Sequence, residues 1–388
     1  MPADSKALIV ADSCWHSTRN LLATWPPASN PGAELLRLEP IDWRNAHARG
    51  VAWYKWGVRS EKVAAQVALT TAELPPGWMK TFPRLGQRPL ARQARRWLGS
   101  LEPGPRQTTL WMTYPYYLAL ADMLAPDRLV YYNLDDYTLY WPAKADNVRA
   151  WEARAVTRSD WTVCVAAERA RLLREAFPER ADRILHIPHG APESTIPAEP
   201  FLEPGPTPPE LAGVPRPILG YLGGLEDRVD WVLVDKIAEN FPHASIVLVG
   251  PKPKLDGTAR WRTAAHQAIA RPNIYAIGAV TQERTPRFYA TFDVNLIPYD
   301  VSHPFNVVCS PTKLMDGMGC GRPCVATALP ECLTHRDRFD IASNHDDFLA
   351  AVDRLMRQGC RDGRESLRHR FALDNRTTVI LDMLYRLA

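Results

Sequence analysis

Residues 306–331, NVVCSPTKLMDGMGCGRPCVATALPE, concentrate the chemistry of this chain. Pro311 suits the first turn of a helix, which puts Thr312, Lys313 and Asp316 near that helix's N-terminus, Lys313 and Asp316 sharing one face. An ammonium there can rest on a diphosphate, and a carboxylate there can accept hydrogen bonds from two ribose hydroxyls. The spacing alone also fits an ordinary i,i+3 ion pair. Upstream, ILGYLGGLEDRVDW reads as a strand, then Gly223 and Gly224, then a helix starting near Trp231. Adjacent glycines let the backbone approach an oxyanion, the next helix offers N–H groups, and Arg228 adds charge; a plain tight turn is the alternative. VLVGP places Gly250 at another strand's carboxyl end, where α/β sheets bind ligands. With Ser310, these form a candidate nucleotide set: Gly223, Gly224, Arg228, Gly250, Ser310, Thr312, Lys313 and Asp316.

In the first half, LVYYNLDDYTLYW supplies Asp135 and Asp136 directly after a strand. A carboxylate at a strand's carboxyl end can take a proton from an attacking hydroxyl, and paired acids raise one another's pKa. A helix N-cap pair is the competing reading. ADSCWHSTRN follows the first strand and sets Asp12, His16 and Arg19 at another carboxyl end, as acceptor contacts or as a capped helix start. His186 and His189 close the first half, in a packing or a site-facing role.

Two series of short apolar runs position these residues. Candidate strands fall at 7–11, 63–69, 109–113, 129–133, 161–165 and 184–187, then at 218–222, 245–249, 274–277, 294–298 and 324–327. Runs of this length, separated by helical patterns, indicate parallel sheets covered on both faces. Residues 191–217 hold nine of the 35 prolines and read as a semi-rigid connector. The amphipathic pattern at 361–387 either completes the second domain or packs back on the first.

The 388 residues, 46% hydrophobic with a net charge of +4, suit two globular domains and exclude a disordered chain or a general nucleic-acid coat. The seven cysteines are scattered without metal-site spacing, and no apolar run is long enough to span a bilayer. Residues 41–106 carry 12 basic residues against four acids, interleaved with Trp43, Trp53, Tyr54, Trp56, Trp78 and Trp97. That composition suits an anionic membrane surface, or a solvated basic face over a tryptophan-rich core.

The order strand-GG, strand-VGP, NI..IG, DV.LIPY and P-T-K-L-M-D-x-M-x-C-G-R-P-x-V-A-T resembles the donor half of GT-B glycosyltransferases over about residues 217–330. Many retaining members carry two glutamates separated by seven residues, the second where Asp316 lies; here the first position is Val308. The chain in this respect resembles the bacterial cell-surface polysaccharide branch typified by the xanthan glucuronosyltransferase, an inverting enzyme with a lysine before the ribose-binding residue. The strand-then-DD pattern recurs in the resembling enzymes, with the second acid as candidate base, which singles out Asp136.

The resemblance implies an α/β protein of two Rossmann-like domains facing a cleft: 1–191 for the acceptor, a 192–217 linker, and 218–388 for the nucleotide sugar, including the C-terminal helix. It further implies transfer from a UDP-sugar to a glycan or lipid-linked acceptor, with inversion and without metal or cofactor. No nucleic acid is expected as a partner. The expected location is cytoplasmic, at the inner face of the membrane through residues 41–106. A sugar-nucleotide epimerase of the same fold and a non-catalytic nucleotide-sugar-binding subunit are the rival readings.

Overall fold

A computed structural model describes every residue except 1–4, 12–14, 49, 54–55, 254, 256–258 and 360–361. The chain divides into two units, residues 1–188 with 377–388, and residues 189–376.

The first unit is built on strands β1 (Ser5–Ala11), β2 (Glu34–Asp42), β3 (Val58–Ala64), β4 (Val67–Leu74), β5 (Arg106–Met112), β6 (Arg128–Asn133), β7 (Trp161–Cys164) and β8 (Ile184–His186). They form one sheet in the order β3-β4-β2-β1-β5-β6-β7-β8. Every pairing is parallel except the β3–β4 hairpin. Chain order reverses between β1 and β5, which opens a crevice at their carboxyl ends. The second unit carries β9 (Ile218–Leu222), β10 (Ser245–Val249), β11 (Ile274–Gly278), β12 (Val294–Ile297), β13 (Cys324–Thr327) and β14 (Asp340–Ala342). Its order is β11-β10-β9-β12-β13-β14, parallel throughout, with the reversal between β9 and β12. All five residues of β10, SIVLV, are buried, as a strand covered on both faces requires.

Three strands escape the apolar-run reading. β2, ELLRLEPID, contains charged residues and a proline, yet its Glu39 is buried because Arg19 and Arg37 both bond it. Burial alone would raise the Glu39 pKa, and the two guanidiniums reverse this and hold it below the usual carboxylate range. The expected strand at 63–69 straddles the β3–β4 hairpin, taking in the end of β3, the turn at 65–66 and the start of β4; β3 is an exposed edge whose Ser60 Oγ meets Thr70 Oγ1 at 2.6 Å. β14 is only three residues long.

Residues 192–217 are not a free connector. They strap the second unit: the Phe201 N–H bonds the Cys320 carbonyl at 3.1 Å, the Gly205 N–H bonds the Ala290 carbonyl at 2.8 Å, and Leu211 is buried with Ile218, Val247, Phe288 and Phe292. The prolines keep the strap extended, while its apolar side chains find a core that composition does not reveal. The C-terminal pattern splits in two. Helix Glu365–Asp374 stays in the second unit, where buried Arg368 pairs with Asp362 at 2.7 Å and bonds the Gly321 carbonyl. Helix Thr377–Arg386 belongs to the first unit, with Ile380, Leu381 and Leu384 packed among Leu8, Val10 and Leu35.

Candidate functional site

In the second unit Gly223, Gly224, Arg228, Gly250 and Lys313 of the expected nucleotide set come together at the carboxyl ends of β9, β10 and β12. The Gly223 N–H bonds the Val249 carbonyl at 2.9 Å and the Gly250 N–H bonds the Gly278 carbonyl at 3.0 Å, so the successive turns are tied together. Gly223 has φ 154°, and a Cβ there would stand 2.8 Å from Lys313 Nζ and 3.0 Å from the Tyr221 hydroxyl. Around Gly224 the corresponding space is open. Its carbonyl accepts from the Tyr221 hydroxyl at 2.9 Å, which fixes the peptide's orientation.

Helix Thr312–Gly319 begins after Pro311 and directs Lys313 at this turn. Lys313 Nζ donates to the Tyr299 hydroxyl and lies 4.6 Å from the Tyr299 ring centroid and 5.2 Å from that of Tyr221. The aromatic faces stabilise the ammonium without neutralising it. Asp316, one turn on, is half-buried and accepts no hydrogen bond and joins no ion pair among the described residues. Burial pushes its pKa up to about 7, with Lys313 opposing. A carboxylate left short of donors favours a ligand that brings hydroxyls to it.

Arg228 is held beside them, its Nε donating to Asn306 Oδ1 at 2.8 Å and its carbon 5.3 Å from the Tyr299 ring centroid. Asn306 in turn donates to the carbonyls of Arg228 and Asp300. Thr312 is exposed at the helix start, whereas the Ser310 hydroxyl turns to buried Glu331 at 3.4 Å. His189 is buried near Glu331; desolvation pulls its pKa down to about 4 against the carboxylate's pull, keeping the ring neutral. Tyr221, Tyr299 and Asn306 are the contributors that residue types and spacing did not single out, although Tyr299 ends the DV.LIPY run.

In the first unit Asp136 occupies the N-cap of helix Tyr137–Tyr140: one oxygen accepts from the Thr138 N–H at 2.9 Å and hydroxyl at 2.6 Å, and the other faces Arg169 at 3.4 Å. Arg169 also bonds buried Glu152 at 2.5 Å, and Glu152 accepts from the Tyr131 hydroxyl at 3.0 Å. Asp135 is buried and accepts from the Asp136 N–H at 2.9 Å and the Tyr140 hydroxyl at 2.8 Å. The capping geometry is thus real, and it leaves Asp136 the more exposed acid of the pair. His16 is exposed at the start of helix His16–Leu22, and Arg19 is engaged with Glu39. Asp12 lies outside the described residues.

Within residues 41–106, helix Arg88–Ser100 buries Leu90, Ala91 and Ala94 and exposes Arg88, Arg92, Arg95 and Arg96. Phe82 and Leu85 stand out beside its start, as does Trp53 elsewhere in the segment, whereas Trp78 is in the core and Trp56 stacks on Trp43. Tyr54 lies outside the described residues. Among the described residues no helix is long and apolar enough to cross a membrane, and no group of three His, Cys, Asp or Glu side chains could hold a metal ion.

Two α/β units with parallel sheets, and a switch-point site in the second, define the GT-B fold. Residues 216–358 match the family described as glycosyl transferases group 1. TuaH of Bacillus subtilis (strain 168), provisionally assigned as a teichuronic acid biosynthesis glycosyltransferase, is 21% identical over 279 residues, covering 68% of this chain and 67% of that protein. The crystal structure of HepE from Anabaena in complex with UDP superposes with TM-score 0.64 at 14% identity, covering 98% of each chain. Sucrose-phosphate synthase from Thermosynechococcus elongatus superposes with TM-score 0.67 at 12% identity, covering 99% of this chain and 98% of that one. The family match lies within the second unit, and the solved structures share the fold of both.

Proposed function

We propose that the protein transfers a sugar from a UDP-sugar to a glycan or lipid-linked acceptor, without metal and with inversion. One observation carries the reading. Lys313 and Asp316 share one helical turn at the β9–β12 switch point, an aromatic-cradled ammonium beside a half-buried carboxylate that has no donor among the described residues. A nucleoside diphosphate supplies what both lack, phosphate oxygens for the first and ribose hydroxyls for the second. HepE, of the same fold, binds UDP.

In this reading the Gly223 and Gly224 turn, Lys313 and Arg228 meet the diphosphate and stabilise the charge that grows on it as it leaves. The acceptor hydroxyl oxygen bonds to the anomeric carbon, its proton passes to Asp136, and the bond from that carbon to the diphosphate oxygen breaks to release UDP. Val308 is buried at the end of helix Pro304–Val308, where the retaining pattern has a carboxylate; this supports a single displacement. The arginines of helix Arg88–Ser100, with Phe82 and Leu85, would hold the enzyme at an anionic membrane surface, where a lipid-linked acceptor lies. NMR of the product formed from an α-linked UDP-sugar tests this account. A new β-glycosidic bond is expected, and an α-linked product, or conversion of the donor's sugar without acceptor, would overturn it.

A further inference from the structure

The first unit contains a pocket of its own at the carboxyl ends of its strands. About 340 Å³ in volume, it is lined by Asp42 at the end of β2, Asn45, Trp78 and Lys80 after β4, Tyr114 after β5, and Trp141. That size falls within the roughly 300–1,000 Å³ usual for small-ligand sites. Lys80 also borders a shallower recess containing Lys144 and Asn147.

The aromatic wall is rigid. Tyr137, fully buried, donates its hydroxyl to the Thr113 carbonyl at 2.5 Å and stacks on Tyr114 with centroids 4.4 Å apart and on Trp141 at 6.3 Å. Flat apolar faces held this way suit the C–H face of a sugar ring. Lys80 Nζ stands 3.4 Å from the Trp141 centroid and, among the described residues, joins no ion pair. Asp42, the carboxylate of this pocket, accepts from the Asn45 N–H at 2.9 Å and side-chain amide at 3.1 Å and forms no ion pair with Lys80 among the described residues. Burial first, then the nearby Lys144 charge, pull the Lys80 pKa down to about 8 against Asp42. Lys80 and Lys144 against Asp42 leave this rim with a net positive charge that an anion would balance.

We propose that this pocket binds an acidic saccharide residue, bearing a carboxylate or a phosphate, with its ring against Tyr114 and its anion on Lys80 and Lys144. Such a residue would be part of the acceptor; that assignment rests on the glycosyltransferase reading, while the binding itself does not.

Saturation-transfer NMR on the full chain, with UDP in excess to fill any donor site, tests it using methyl glucuronide, glucose 6-phosphate and methyl glucoside. Binding of at least one acidic ligand is expected, about tenfold tighter than the neutral glycoside, and the preferred one identifies the anion. Lys80→Gln should weaken that binding about tenfold and Lys80→Arg should restore it, both with the thermal shift by UDP unchanged. Equal binding of neutral and acidic ligands, no binding of any, or acidic binding indifferent to Lys80→Gln would overturn the proposal. Lys80-dependent binding in a protein that UDP does not stabilise would uphold the pocket and sink the glycosyltransferase reading.

Discussion

The carbonyl oxygen of Gly223 lies 1.9 Å from the point that a Cβ on residue 250 would occupy, so the turns after β9 and β10 meet backbone to backbone. Gly250→Ala cannot be absorbed by a side-chain rotation, because the obstructing atom is main chain. A stability loss of about 1–3 kcal/mol is expected, with weakened UDP binding because the displaced turn carries Gly223. Urea unfolding and calorimetric UDP titration check both; a variant with native stability and affinity would contradict the close approach.

Asp136 both caps a helix and is the proposed base, and two substitutions separate these roles. Asparagine keeps an oxygen for the Thr138 N–H but gives up the ion pair with Arg169, so Asp136→Asn should lose some stability and turn over at least about 100-fold more slowly. Asp136→Ala should lose the same activity and about 1 kcal/mol of stability in addition. Parent-like turnover in the asparagine variant would leave Asp136 with capping alone.

If Asp316 meets the ribose as proposed, donor binding should depend on pH. Its folded-state pKa of about 7 stands above the ordinary 3.8, so the folded chain holds a proton that the unfolded chain releases in between. Its contribution to the unliganded protein's stability is therefore present at low pH and is lost as pH rises from about 4 to 7. Ribose hydroxyls favour the ionised form, so affinity for UDP-glucose should rise about tenfold from pH 6 to 8. UDP-glucose is the probe because its diphosphate does not titrate there. A flat profile in the parent protein, or an unchanged slope in Asp316→Asn, would be the contrary result.

Membrane association through helix Arg88–Ser100 predicts salt-sensitive co-sedimentation with vesicles containing anionic lipid. Reversing Arg92 and Arg96 to glutamate should lower that binding at least about tenfold while leaving UDP affinity alone. Vesicle binding unaffected by the double reversal would direct attention elsewhere on the surface.

The second unit was legible because its strands are uninterrupted apolar runs and the candidate site residues follow their ends; Gly223 and Lys313 meet where the β9–β12 reversal puts them, with Asp316 one turn on. What escaped the sequence depends on partners distant along the chain. β2 looks too polar for a buried strand until Arg19 and Arg37 close on Glu39. The strap's prolines signal extension, but Phe201 and Leu211 bind it to a core whose shape no local pattern records. Lys313 declares its charge in the sequence, whereas the rings of Tyr221 and Tyr299 that hold it come from two other strand ends.

Thermal unfolding of the purified protein with UDP, GDP, ADP and dTDP, each with and without a divalent metal, tests the central claim most directly. UDP at about 100 times its Kd should stabilise the protein by roughly 2.7 kcal/mol, metal or not, and Lys313→Ala should remove most of that shift. Stabilisation by UDP that survives Lys313→Ala, or no stabilisation by any nucleotide, would contradict the account.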